Sequence, residues 1–297
     1  MSRRGVLRAG LALAVAGATG GCLGGGTEGD TGSVRVTRHT YGTDPSQFGE
    51  LYVPTRAAGD LPVVVVVHGG FWRSAYDLSL GTPLARDLAG RGFAAWNLEY
   101  RRIGNGGGWP STLQDVADGI DLLAEVGAAG TPLDLGRTVT LGHSAGGHLG
   151  VWAAARAGLP ADAPGATPRV RPVGALSQAG VLDLRRAAAE QLGSGATQEL
   201  LGGDPAAVPD RYTLSSPVER VPLGVPVVCV HGRSDTNVPF SQSQSYVRAA
   251  AAAGDSAELV PVDGDHFTLI DTSTTAWQVI VERLTHLLGS APPERPR

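Results

Sequence analysis

The sequence predicts an α/β domain with a mostly parallel central sheet, helices on both faces and a small cap-like insertion. Three observations carry this reading. Apolar strand-like runs alternate with helical patterns from residue 34 onward, and that alternation packs helices over a parallel sheet. Five consecutive valines, Val63–Val67, suit a strand buried on both faces. Several of the strands end in histidine, serine or aspartate beside glycine, at the sheet edge where open α/β sheets bind ligands.

The elements follow in order. Val34–Thr37 and Gly49–Val53 alternate at period two, as an antiparallel pair at the sheet edge would. Pro62 introduces the valine strand, which ends in His68-Gly69-Gly70-Phe71-Trp72-Arg73. Leu84–Leu88 belong to a helix stopped by Gly90 and Gly92, and Phe93–Leu98 to the next strand. A glycine-rich loop and Trp109-Pro110 lead into one helix, Ser111–Val126, with Leu113, Val116, Ile120 and Leu123 on its apolar face. The strand at Val139–Leu141 runs through Gly142-His143-Ser144-Ala145-Gly146 into a helix carrying Leu149 and Val151–Ala155. Strands near Val173–Leu176, Val225–Val230 and Ala257–Val262 and helices at Gln242–Ala253 and Thr274–Leu288 complete residues 34–290. Residues 181–223 read as the insertion, irregular with short helical patterns and several prolines, its leucines (Leu182, Leu184, Leu192, Leu200, Leu201) and Tyr212 shaping a pocket. No period of propeller-blade length appears.

A chain of 297 residues has ample length for a large core. A net charge of −4, with arginine as every basic residue, gives no electrostatic case for nucleic acid. The two cysteines, Cys22 and Cys229, make no disulfide framework, no zinc spacing occurs, and Cys229 reads as a small core residue. Residues 1–22 read as an export signal: Arg3, Arg4 and Arg8 precede the short apolar run Ala9–Ala18, and Ser2–Arg8 resembles a twin-arginine signal. Thr19-Gly20-Gly21-Cys22 resembles a lipobox, with Ala16-Gly17-Ala18 as the competing cleavage site. The expectation is lipidation of Cys22, a flexible linker at 23–33 and anchoring on the outer face of the cytoplasmic membrane, with secretion as the alternative.

The chemistry converges on strand ends. G-x-S-x-G between strand and helix is the context of a nucleophile elbow, a sharp turn that holds Ser144 clear and tolerates no bulk around it. The plainer alternative is that Ser144 only caps the helix. Gly69 and Gly70, with Phe71, directly follow a buried strand, where small residues let backbone N–H groups approach a reacting carbonyl; with the Ala145 N–H they are the oxyanion-hole candidates. Asp235, after the Cys229 strand, is the candidate acid, and His266, after the next strand, the candidate base. Asp263 and Asp265 are rival acids but adjoin His266 too closely in sequence to orient its ring. Phe71, Trp72, Trp109 and His143 are candidate pocket residues, His148 a structural partner, and His68 a brace for the oxyanion loop. Glu99, Arg101 and Arg102 read as a polar network at the edge of the site.

With these motifs in hand, the chain resembles α/β-hydrolases of the esterase/lipase kind. His68-Gly69-Gly70-Phe71-Trp72 and Gly142–His148 are similar to elements of the kynurenine formamidase-like and bifunctional esterase-formamidase branch. The resemblance implies an α/β-hydrolase fold and cofactor-free cleavage of a small-molecule carboxylic ester or small amide by Ser144, Asp235 and His266. An export segment fits poorly with cytoplasmic tryptophan catabolism, which argues against N-formylkynurenine as substrate. Two competing readings are an aminopeptidase-like serine peptidase and a catalytically silent binding module on the same fold.

Overall fold

Strands β1 (Val34–Thr40) and β2 (Phe48–Pro54) pair antiparallel, with Val34 opposite Pro54 and Thr40 opposite Phe48. They form one edge of an eight-stranded sheet in the computed structural model, which describes residues 34–57 and 59–289. The expected export signal, Cys22 and the 23–33 linker lie outside the described residues. The remaining strands are β3 (Leu61–Val67), β4 (Ala94–Leu98), β5 (Leu133–His143), β6 (Gly174–Gln178), β7 (Val227–Gly232) and β8 (Ala257–Val262). Their order is β1-β2-β4-β3-β5-β6-β7-β8; β2 and β4 are antiparallel, and every later pairing is parallel. The chain leaves β3 to one side for β4, then crosses to the other side for β5. Such a reversal opens a crevice at the carboxyl ends of the strands.

The valine run shows why the sheet is covered twice. Val63, Val65 and Val67 pack with Leu113, Val116 and Ile120 of α2 (Ser111–Asp121) and Leu149 and Trp152 of α4 (Ala145–Ala154). Val64 and Val66 pack the other way, with Leu84 and Leu88 of α1 (Thr82–Gly90) and Trp277, Ile280 and Leu284 of α9 (Thr275–Leu287). All five valines are at most 2% exposed. Burial of this kind contributes roughly 1.5 kcal/mol or more per valine. Cys229 is buried beside α8 (Ser241–Ala252), among Val151, Tyr246 and Ala250.

Two features differ from the sequence expectation, and a third gives the short helical patterns of 181–223 their bounds. The helix expected over 111–126 is two helices, α2 and α3 (Leu123–Ala128). At Leu122 the turn tightens so that the Glu125 N–H reaches the Leu122 carbonyl at 2.9 Å, while Asp121 is drawn to the buried Arg156 at 2.6 Å. Strand β5 begins at Leu133, and its register against β3 jumps from Pro62↔Asp134 to Val63↔Thr138, at the residue that lacks an N–H. Residues 181–223 hold three short helices, α5 (Leu184–Ala189), α6 (Ala196–Leu201) and α7 (Pro209–Ser215). Leu184, Leu200, Leu201 and Tyr212 turn into the core shared with Val63 and Val65.

Candidate active site

At the β5–α4 junction Ser144 has φ 56° and ψ −118°, a conformation that costs a non-glycine residue roughly 1–3 kcal/mol. The surrounding bonds hold it there: its N–H donates to the Gln178 carbonyl at 2.8 Å, and its own carbonyl accepts from His148 N–H at 3.2 Å. The glycines are required by contact. A Cβ on Gly146 would sit 2.0 Å from the Val67 carbonyl oxygen, and one on Gly142 2.0 Å from the Gly146 oxygen. Gly146→Ala is therefore expected to abolish the soluble folded protein, read as loss of soluble yield and of a cooperative melting transition. The Ser144 side chain makes no capping bond to α4, so helix capping does not account for it.

Asp235 lies in the turn after β7, where its Oδ1 accepts the N–H groups of Asn237 and Val238 at 2.8 and 2.9 Å. Its Oδ2 accepts from His266 Nδ1 at 2.7 Å, with both side chains buried. Burial alone would raise the Asp235 pKa. Hydrogen bonds from His231, His266 and the Val238 N–H outweigh it and hold the carboxyl well below the usual range. The rivals are turned elsewhere: Asp263 is exposed toward Arg233 at 3.9 Å, and Asp265 Oδ1 accepts from Phe267 N–H, Thr268 N–H and Thr268 Oγ. Ser144 and His266 line one cavity of about 80 Å³ and make no direct hydrogen bond to each other in this structure. Such bonds often tighten only with substrate bound.

The loop after β3 closes the other side. Gly70, Phe71 and Trp72 all have positive φ (109°, 49° and 55°), a strained run of backbone directly after β3. A Cβ on Gly69 would lie 3.1 Å from Ser144 Cβ and 2.8 Å from the His143 carbonyl oxygen. The N–H groups of Gly70, Phe71 and Ala145 donate to no other group among the described residues. His68 spans the Gly69 carbonyl (Nδ1, 2.8 Å) and Glu99 Oε1 (Nε2, 3.2 Å), and Arg102 pairs with Glu99 at 3.0 Å. Arg101 instead forks onto Asp115, at 2.7 and 2.8 Å.

Of the expected pocket residues, Phe71 and His143 line the cavity; Trp72 and Trp109 do not. Trp72 is 1% exposed, and its indole N–H donates to His148 Nδ1 at 3.1 Å. Trp109 packs against the main core, its backbone N–H on the Leu200 carbonyl at 2.7 Å. The leucines of 181–223 are likewise absent from the lining. The sequence reading passed over Tyr76, Leu80, Asn237, Phe267 and Ile270, which complete it. It also assigned no role to His231, which is buried with Nε2 3.4 Å from Asp235 Oδ2 and Nδ1 2.8 Å from Ser243 Oγ. The His231-Gly232-x-x-Asp235 spacing, one helix-like turn apart, was the available signal.

Two further histidines are neutral by burial. His143 is driven down to about 3 by desolvation and then by the neighbouring His266, whose carbonyl accepts its Nε2–H at 2.9 Å. Desolvation takes His148 to about 4, with its Nε2–H on the Ser215 carbonyl at 3.0 Å. An unfolded histidine protonates near about pH 6.5. Below that, the unfolded chain binds protons that the fold refuses, so stability falls as pH is lowered from about 6.5 toward about 4. The melting temperature is expected to drop across this window, and less steeply in His148→Gln; parallel curves for the two proteins would contradict the assignment.

The sheet order, the elbow and the crevice at the strand ends define an α/β-hydrolase. The chain belongs to the BD-FAE family, whose model matches residues 50–249. It is similar to a probable isoprenylcysteine alpha-carbonyl methylesterase, ICME, of Oryza sativa subsp. japonica (27% identity over 240 residues, 77% of this chain and 56% of that protein). It is also similar to esterase LipC of Mycobacterium tuberculosis (28% over 265 residues, 82% and 62%). The chain thus spans 56% and 62% of the length of these two curated relatives. Among solved structures, propionate-bound Est2, a thermophilic esterase from the Planctomycetes species Thermogutta terrifontis, superposes with a TM-score of 0.67 at 26% identity, covering 90% of this chain and 98% of that one. These relatives are esterases by name; the kynurenine formamidase-like branch is not among them.

Proposed function

We propose that this protein is a serine hydrolase that cleaves carboxylic esters through an acyl-enzyme. One observation carries the reading: a serine on a strained elbow opens onto the same small cavity as a histidine whose far nitrogen is bonded to a buried aspartate. With Nδ1–H donated to Asp235, the His266 Nε2 is left with a lone pair facing the site. As Ser144 Oγ attacks the acyl carbon, Nε2 takes its proton, and the carbonyl π pair moves onto oxygen. The N–H groups of Gly70, Phe71 and Ala145 are the donors for that oxyanion. When the oxyanion collapses, the C–O bond to the alcohol breaks and the His266 imidazolium protonates the leaving oxygen. Water, deprotonated by the same nitrogen, then releases the acid and restores Ser144.

Names of similar proteins support the substrate class, including the form of Thermogutta terrifontis esterase 2 phosphonylated by sarin. A fluorophosphonate probe is expected to label Ser144, located by peptide mass. p-Nitrophenyl esters of increasing chain length, run beside an arylformamide, separate esterase from small-amide activity. Absence of both labelling and hydrolysis would leave the binding-module reading. Segment 181–223 serves as the small cap: Gly193 packs against the Phe71 ring, and Glu199 pairs with Arg73 at 2.9 Å. For localisation, the arginines near the start and the lipobox-like Thr19–Cys22 support export and lipid anchoring, and Cys22→Ala is expected to move the protein from the membrane to the soluble fraction.

A further inference from the structure

Apolar side chains of any size are well hidden in this fold. Among the described residues only Val36, Tyr76 and Phe267 are large hydrophobics left exposed. Tyr76 is 48% and Phe267 57% exposed, and both line the cavity above Ser144. Two uncovered aromatic rings at the rim of one small site are a feature that folding does not require. A ring left in water loses the burial that would otherwise stabilise the fold, so an occupant is indicated.

Their placement says which part of an ester they meet. The leaving oxygen must reach His266 Nε2 to be protonated, so the alcohol portion lies on the His266 side of the acyl carbon. Phe267 follows His266 directly, with ring centroids 5.4 Å apart and the planes at 85°. Tyr76 lines the same cavity beside the oxyanion loop, where a Cβ on Gly70 would meet its Cβ at 2.5 Å. The cavity is small, about 80 Å³, and opens to solvent at the two exposed rings. Beyond the catalytic groups, His143, the two rings and the oxyanion loop, the rest of the lining is Leu80, Ile270 and one amide, Asn237. A mostly apolar wall with a single polar side chain favours a flat hydrocarbon ring over a sugar with its several hydroxyl groups.

We propose that Tyr76 and Phe267 form an aromatic binding site for the alcohol half of the substrate, and that the preferred substrates are esters of aromatic alcohols. This rests on the serine-esterase reading and narrows it. The test compares benzyl acetate with cyclohexylmethyl acetate, two esters of similar size and leaving-group basicity that differ in having a flat or a puckered ring. The wild-type enzyme is expected to favour the benzyl ester in kcat/KM. Phe267→Leu and Tyr76→Leu are each expected to lower that preference about two- to tenfold, the range of one aromatic pairing. Because both esters are measured on the same sample, the ratio is unaffected by any loss of active protein. A wild-type ratio near one, or a ratio unmoved in both variants, overturns the proposal while leaving the esterase reading intact, provided p-nitrophenyl acetate is still cleaved. If neither ester nor p-nitrophenyl acetate is cleaved and no fluorophosphonate label appears on Ser144, both readings fall together.

Discussion

Ser144→Ala is expected to lower kcat for p-nitrophenyl acetate about a millionfold, with KM little changed and fluorophosphonate labelling lost. The size follows from what the hydroxyl does in the proposed mechanism. It supplies the atom that bonds to the acyl carbon, and His266 and Asp235 act only through it, so removing it silences all three at once. The oxyanion donors are backbone N–H groups of Gly70, Phe71 and Ala145, which the substitution leaves in place, so a residue of rate enhancement above water persists. Stability should barely move. The Ser144 side chain does not cap α4, and alanine meets the same strain at φ 56° as serine does. A melting temperature within about 2 °C of wild type, together with the lost turnover, separates chemistry from folding. Retention of more than a hundredth of the activity would remove Ser144 from the reaction.

What could be read in advance, and what could not, divides along the range of the forces involved. The elbow was legible because its constraints are local and steric: a Cβ added to Gly142 or Gly146 would lie 2.0 Å from a backbone oxygen, so no side chain fits at either position between strand and helix. The valine strand was legible because a run of five apolar β-branched residues has few other homes. Asp235 and His266, drawn together from chain order, are bonded at 2.7 Å in the structure. The direction of Trp72 was hidden. It depends on three successive positive φ angles, two of them at Phe71 and Trp72, residue types that do not announce such a backbone. That turn sends Trp72 into the core toward His148 and leaves Phe71 on the cavity. The helices of 181–223 span only six or seven residues each, enough to leave short helical patterns but too few for a 3.6-residue period to fix their bounds and packing. Tyr76 and Phe267 were passed over because exposure is a property of the finished surface; no spacing in the chain encodes it.

Asp235→Asn should cost about ten-thousandfold in kcat, second only to loss of the serine. An asparagine amide in that position can donate to His266 Nδ1 where the carboxylate accepted, which favours the tautomer with its proton on Nε2 and leaves no base facing Ser144. Asp263→Asn and Asp265→Asn are expected to stay within about threefold of wild type, since one is exposed toward Arg233 and the other is occupied by the N–H groups of Phe267 and Thr268. The same aspartate leaves a signature in stability against pH. Its folded pKa lies below the unfolded value of about 3.9, so the carboxylate contributes stability that is fully present above about pH 4 and is lost as pH falls through the folded value. The difference in unfolding free energy between wild type and Asp235→Asn is therefore expected to be largest near neutrality and to shrink as the medium is acidified below about pH 4. Denaturant titrations at about pH 7 and about pH 3 give that difference directly. If it is the same at both, Asp235 is not held as a carboxylate against His266 and His231, and the acid must be sought elsewhere.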